Sequence, residues 1–284
     1  MNRVLKMLDR VRRLPLASCI IILGFILLAA FAPQIAPHSP TLASLPHRLK
    51  PPFWLSGGSL DYPLGTDRLG RDILSRIVYG ARTSLTVSAT ALVVGVGFGT
   101  AIGLISASLV GALRELLLRL TDAAIGFPMI LIALLLVVAL GPSNANVVIA
   151  ISLVIWARFA RVISNEASAV MKQDFIALAK VAGCSRARII ISHLLPNVLN
   201  TIMVLVSLNV GWVIIVEATL SFLGAGIPPP TPTWGNMVAA GREELINAWW
   251  IATFPSICIT LVVLSFNLFG DWLRDALDPK LRQV

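Results

Sequence analysis

The chain has 284 residues, of which 57% are hydrophobic and only 13% charged, against about 25% charged in an ordinary soluble domain, and a water-facing surface cannot be built from that. The net charge of +9 does not point to nucleic acid, because the Lys and Arg residues stand between apolar runs instead of forming one continuous stripe. Cys19, Cys184 and Cys258 lie far apart, and His38, His47 and His193 form no ligand cluster, so neither a disulfide framework nor a zinc motif is indicated.

At the start, Arg12 and Arg13 precede an apolar run ending Ala30-Phe31-Ala32, which imitates a secretory signal, and Leu16-Ala17-Ser18-Cys19 imitates a lipoprotein cleavage box. The cysteine opens the run where a cleavage box would close it, and the run exceeds the roughly 7 to 15 residues of a signal core, so a membrane span is the better reading. That first span is predicted over Pro15 to Ile35, followed by a Pro-rich stretch from Pro33 to Pro63 that cannot continue a helix. No charge separates Arg82 from Arg114, which predicts a second span near Ser84 to Leu109. The uncharged run between Asp122 and Arg158 is divided by the Gly141-Pro142-Ser143-Asn144 turn, giving a hairpin of spans three (Leu118 to Leu140) and four (Ala145 to Val162). A fifth span falls near Val198 to Gly224 and a sixth near Ala248 to Trp272.

The positive-inside rule orients these spans. With the N-terminus inside, most of the 23 Lys and Arg residues fall on the cytoplasmic side, and nearly all the rest lie in the long loop from Arg48 to Arg82. The chain then divides into a cytoplasmic N-terminus (1–14), a first transmembrane helix (15–36), an external loop (37–82), a core of five helices (83–274) and a cytoplasmic tail (275–284). One long cytoplasmic segment remains, at about 163–196. It reads as a helix starting at Ser164-Asn165-Glu166 and running through Lys180, a break at Gly183, a new start at Ser185 and a second helix closed by Pro196. Two short helices about a glycine hinge make a knob suited to a cleft on a soluble partner.

Within that segment, Asp174-Phe175-Ile176-Ala177-Leu178-Ala179-Lys180-Val181-Ala182-Gly183-Cys184-Ser185, followed by His193-Leu194-Leu195-Pro196-Asn197, resembles the coupling loop of binding-protein-dependent ATP-binding-cassette importers. The family's Glu-Ala-Ala signature is altered here, with Ala177 at the glutamate position and Leu178 at the first alanine. Ala179, Gly183, Leu195 and Pro196 keep the pattern. Leu64-Gly65-Thr66-Asp67-Arg68-Leu69-Gly70-Arg71-Asp72, Leu220-Ser221-Phe222-Leu223-Gly224 and Gly270-Asp271-Trp272-Leu273-Arg274 are similar to segments of the peptide and nickel branch of these permeases, in its C-type subunit.

The resemblance implies an all-α integral membrane fold, the six-helix transmembrane domain of a type I importer with its cytoplasmic coupling loop. It implies a permease subunit for di- or oligopeptides in the bacterial plasma (inner) membrane, both termini cytoplasmic, forming half of the translocation pathway. The implied partners are a homologous permease, two ATP-binding subunits, an extracellular or periplasmic solute-binding protein and membrane lipid, with no nucleic acid. No cofactor or metal is expected in this chain; ATP and Mg would be bound by the partner ATPase subunits. The chain has no Gly-Lys pair and hence no phosphate loop, and Leu55-Ser56-Gly57-Gly58-Ser59, which imitates an ATPase signature, lies in the external loop.

The expected coupling residues are Asp174, Phe175, Ile176, Ala177, Leu178, Ala179, Gly183, Cys184 and Ser185. Glu217, inside span five, should face protein or water, as a pathway residue or a helix contact. Pro228, Pro229, Pro230 and Trp234 are the candidate docking arm for the binding protein, and Trp249 and Trp250 candidate interfacial anchors. Gly95, Gly99 and Gly103 recur every fourth residue and should allow close helix approach. Rival readings are the same architecture with nickel chelates, glutathione or oligosaccharide fragments as cargo, an ion-driven secondary transporter, and a membrane-embedded enzyme. The last has no zinc helix, nucleophile elbow or paired catalytic carboxylates to support it.

Overall fold

A computed structural model describes residues 15–277. The predicted cytoplasmic N-terminus (1–14) and the Asp278-Pro279 end of the tail lie outside the described residues. The elements in order are α1 (Leu16–Ala30), α2 (Ala32–Ile35), α3 (Ile73–Ser108), α4 (Ala112–Gly126), α5 (Met129–Leu140), α6 (Asn144–Val170), α7 (Asp174–Val181), α8 (Arg186–Arg188), a π-helical turn (Ile189–Leu194), α9 (Leu195–Phe222), α10 (Trp234–Arg242) and α11 (Trp250–Leu277). Among the described residues, four helices are long and apolar enough to cross a membrane, with α8, the π turn and α9 forming one of them. The α4–α5 pair supplies a fifth if taken together, and α1 is a shorter apolar helix.

In lipid, apolar surface gives helices little reason to associate, so close packing has to hold them together. The α3–α6 pair is the most extensive contact in the molecule. It is made by Gly95, Gly99 and Gly103: a methyl on Gly95 would strike Ile155, one on Gly99 would lie 2.8 Å from Phe159 Cβ, and one on Gly103 would lie 2.8 Å from the Ala160 carbonyl. Ser106 and Ser164 extend the seam with hydroxyls 2.8 Å apart. Across this pair lies α9, which also packs on α11, while α1 covers α3 and α11.

The third span departs from expectation. It is two helices bent by 93°, because Pro128 has no N–H to continue the ladder and forces Phe127 into extended backbone (φ −92°, ψ 148°). At about 1.5 Å per residue, the 12 residues of α5 reach about 18 Å, too short to cross a hydrocarbon layer of about 30 Å alone. The fourth span is also longer than predicted: α6 passes through Ser164-Asn165-Glu166 without a new start, since Ser164 is buried against α3 and caps nothing. Pro196 does not close a helix either. The preceding π turn, in which the Leu195 N–H reaches the Ile190 carbonyl, leaves room for the proline in the first turn of α9.

Residues 36–72 form a folded cap over the N-terminal end of α3. Asp67 accepts from the Leu69 and Arg71 amides at 2.9 and 3.0 Å and from Arg71 Nε at 2.7 Å, and Arg76 Nε lies 3.6 Å away. Arg76 donates to the Pro40 carbonyl at 2.9 Å. Asp72 caps α3 through the Ser75 amide at 2.9 Å, with His38 Nδ1 3.5 Å from the same carboxylate. The Gly-Thr-Asp-Arg-Leu-Gly-Arg-Asp stretch is therefore structural: Asp67, Arg71 and Asp72 are paired at the cap, Arg68 reaches Glu243 and, at 3.3 Å, Glu244 after α10, and Trp250 of α11 seals the cap by donating to the Thr66 carbonyl at 3.1 Å.

Candidate functional site

The expected coupling segment begins where α6 ends at Val170. Asp174 and Lys180 place an acid in the first turn and a base in the last turn of α7, each complementing the helix dipole. Gly183 then takes the left-handed conformation (φ 78°). Its amide bonds to the Lys180 carbonyl at 3.0 Å, and the Cys184 amide to the Ala179 carbonyl at 3.0 Å. This is a Schellman cap, which satisfies the last carbonyls of α7 and reverses the chain. Ser185 caps the next helix by accepting from the Arg188 amide at 3.3 Å. Gly183 is a backbone requirement and not a tight fit, since a methyl built there meets nothing within 4 Å.

The faces of α7 differ in what they meet. Ile176 (0% exposed) and Ala179 are buried, and Ile176 packs in a cluster with Leu104, Ile163, Ala167, Ile189, Leu194 and Val198. Cys184 is half-buried against the same cluster. These contacts fix α7 to the C-terminal parts of α3 and α6 and to the π turn. On the opposite side Phe175, Leu178 (69%) and Val181 (88%) are exposed, at the i, i+3 spacing of one helix face. A short helix that buries one apolar row and presents another has a surface made for a partner's groove. Asp174, Ala177 and Ser185 are exposed beside that row, and Ala177 offers no charge where the family signature has one.

The other expected site residues scatter. Glu217 is fully buried (0% exposed) and accepts from Ser221 Oγ at 2.9 Å, with Ser84 of α3 beside it. Enclosed by the chain's own side chains, it is a contact between α9 and α3 in this fold. Pro228, Pro229 and Pro230 are exposed, as a docking arm requires. Trp234 is not: it is 0% exposed, donates to the Ile77 carbonyl at 3.1 Å and sits edge-on to Phe25 with centroids 5.5 Å apart. The expectation that Trp234 docks a binding protein is therefore corrected. Helix α10 turns the ring inward, where it pins the arm to α3 and α1. The anchor reading of Trp250 falls in the same way, since its ring is buried in the cap, whereas Trp249 stays exposed.

One group escaped the sequence reading. Arg158 of α6 reaches Asn209 Oδ1 at 3.3 Å, Met129 Sδ at 3.8 Å and the Trp212 ring at 5.4 Å. Arg161, by contrast, pairs with Asp122 at 3.3 Å and ties α4 to α6. The sequence reading uses Arg158 to bound an uncharged run; the signal that α6 continues past both arginines is the missing helix breaker before Val170.

A bundle of apolar spans with a capped, partner-ready helix on one end defines a membrane permease subunit, and the comparisons with known proteins agree. Residues 99–283 match the family described as binding-protein-dependent transport system inner membrane component, and residues 10–52 match the N-terminal TM domain of oligopeptide transport permease C; the chain belongs to this permease family. It is 38% identical over 269 residues to the di/tripeptide transport system permease protein DppC of Pseudomonas aeruginosa, covering 95% of this chain and 89% of that protein. It is 41% identical over 270 residues to the dipeptide transport system permease protein DppC of Alkalihalophilus pseudofirmus, covering 95% and 87%. With the protein of the same name in Escherichia coli it shares 39% over 256 residues, covering 90% and 85%.

Proposed function

We propose that this subunit carries di- or oligopeptides inward across the membrane, with its coupling helix worked by an ATPase. The observation that carries the reading is the exposed row Phe175, Leu178 and Val181 on a helix whose other face is fixed to three spans. Movement of a partner seated on that row passes directly into α3, α6 and α9, which is what an alternating-access machine requires. The relatives' names support peptide as cargo.

The full assembly in this reading is the chain, a homologous permease, two ATP-binding subunits that hold ATP and Mg, and an external solute-binding protein. Both termini lie in the cytoplasm, and Pro228, Pro229 and Pro230 face the binding protein on the outside. The test is uptake of labelled dialanine into proteoliposomes holding the four membrane subunits. Uptake should require ATP and the binding protein together. Accumulation without ATP, driven by an ion gradient, overturns the mechanism. Exclusion of dialanine while nickel chelates or glutathione are moved overturns the cargo.

A further inference from the structure

Arg158 sits midway along the 27 residues of α6, roughly 20 Å of helix from either end at about 1.5 Å per residue. Among the described residues it has no carboxylate within salt-bridge distance, whereas Arg161 has Asp122, Arg76 has Asp67 and Arg119 has Glu115. A cation within a helix apolar and long enough to cross a membrane is retained only at a cost, and it marks a candidate functional site by default. Neutral groups on two other segments hold it: Asn209 on α9, whose amide is oriented by its own bond to the Leu205 carbonyl at 2.7 Å, and Met129 at the start of α5. Trp212 takes one side of the guanidinium plane. A guanidinium has five N–H donors in a planar fork, and the contacts named use one on oxygen and one weakly on sulfur. The group is half-buried and touches Met129, the first residue of α5 beyond the 93° bend, so part of its donor fork stays uncovered by this chain.

We infer that Arg158 is a transit site for the cargo's carboxylate, taking the C-terminal carboxylate of a passing peptide on its free edge while Asn209 and Trp212 hold its plane. Planar bidentate recognition of a carboxylate is what arginine does and lysine does not. The contact is temporary, because no fixed acid completes the pair. This inference rests on the peptide-import reading.

The test crosses Arg158→Gln and Arg158→Lys with two cargos, dialanine and dialanine amide, in proteoliposomes of the complete transporter. Loading of the binding protein is measured separately and rates are expressed per loaded protein. For dialanine, Arg158→Gln should lower the maximal rate about tenfold, with Arg158→Lys recovering only part. For the amide, wild type and Arg158→Gln should run at the same low rate. Equal loss with both cargos, or none with either, overturns the transit site. Loss of the second permease from the purified Arg158→Gln complex also overturns it, in favour of an acid on that subunit as the partner. Failure of wild type to move dialanine while moving a different solute removes the peptide reading, and the inference with it.

Discussion

Gly183 allows a graded test of the coupling helix. Its φ of 78° is a conformation that costs a side chain about 1–2 kcal/mol for most L-residues and less for asparagine, and no neighbouring atom would obstruct a Cβ. The penalty is therefore one of backbone conformation alone. For Gly183→Ala it corresponds to a roughly 5- to 30-fold loss in the population of the capped turn. Gly183→Asn should lose less, and Gly183→Val, branched at Cβ, more. Peptide uptake in membrane vesicles should fall in the order Asn, Ala, Val, while the amount of subunit in the membrane stays constant, because the cap lies outside the packed spans. Wild-type uptake by Gly183→Val would refute the reasoning. So would an asparagine variant as damaged as the valine one, since that would mean the side chain itself blocks docking.

Four more outcomes follow from the packing. Gly99→Val should overpack the α3–α6 seam against Phe159 and Trp156, costing about 1–3 kcal/mol and lowering the thermal midpoint of the detergent-solubilised protein. Trp234→Phe should lose about 1 kcal/mol with its bond to the Ile77 carbonyl, and Trp234→Ala about 3–5 kcal/mol with the ring volume; weakened binding-protein affinity at unchanged stability would return Trp234 to the docking arm. Asp72→Ala removes the cap of α3, and the helix should lose about 0.5–2 kcal/mol, seen as faster proteolysis within residues 36–72. Glu217→Gln preserves an acceptor for Ser221 and should keep uptake near wild type, whereas a complete loss with normal stability would assign Glu217 to the pathway.

The apolar runs and their breakers made most of the bundle legible. The long uncharged stretch after Arg82 became α3, and the spacing of Gly95, Gly99 and Gly103 foretold a close helix approach, though not that α6 makes it. What failed was reading absence of charge as continuity. Gly126-Phe127-Pro128 lies inside an uncharged run, yet the proline bends the third span as firmly as a charge would end it. Pro196 misled in the opposite direction, because a π turn just before a proline is set by neighbouring packing and leaves no pattern in composition. In the coupling loop, Gly183 and Ser185 were readable from turn and cap chemistry alone. Which face of α7 points outward was not readable, since Ile176 and Leu178 are equally apolar and only the cluster around Leu104 and Leu194 decides which is buried. Trp234 was misplaced for a similar reason. A tryptophan after a proline run looks like an exposed lip until the helix that carries it is seen to turn the ring onto α3.

The claim that most needs a direct measurement is that an ATPase sits on the exposed row of α7. Leu178→Cys, in a Cys184→Ser background so that the neighbouring thiol does not compete, should be joined by a short bis-thiosulfonate cross-linker, which forms a reducible disulfide at each end, to a cysteine in the surface groove of the ATP-binding subunit. Cross-linking should stop peptide uptake, and reduction should restore it. Robust uptake with the link in place, or a Leu178→Cys thiol that reacts only with reagents added outside the cell, would contradict the account.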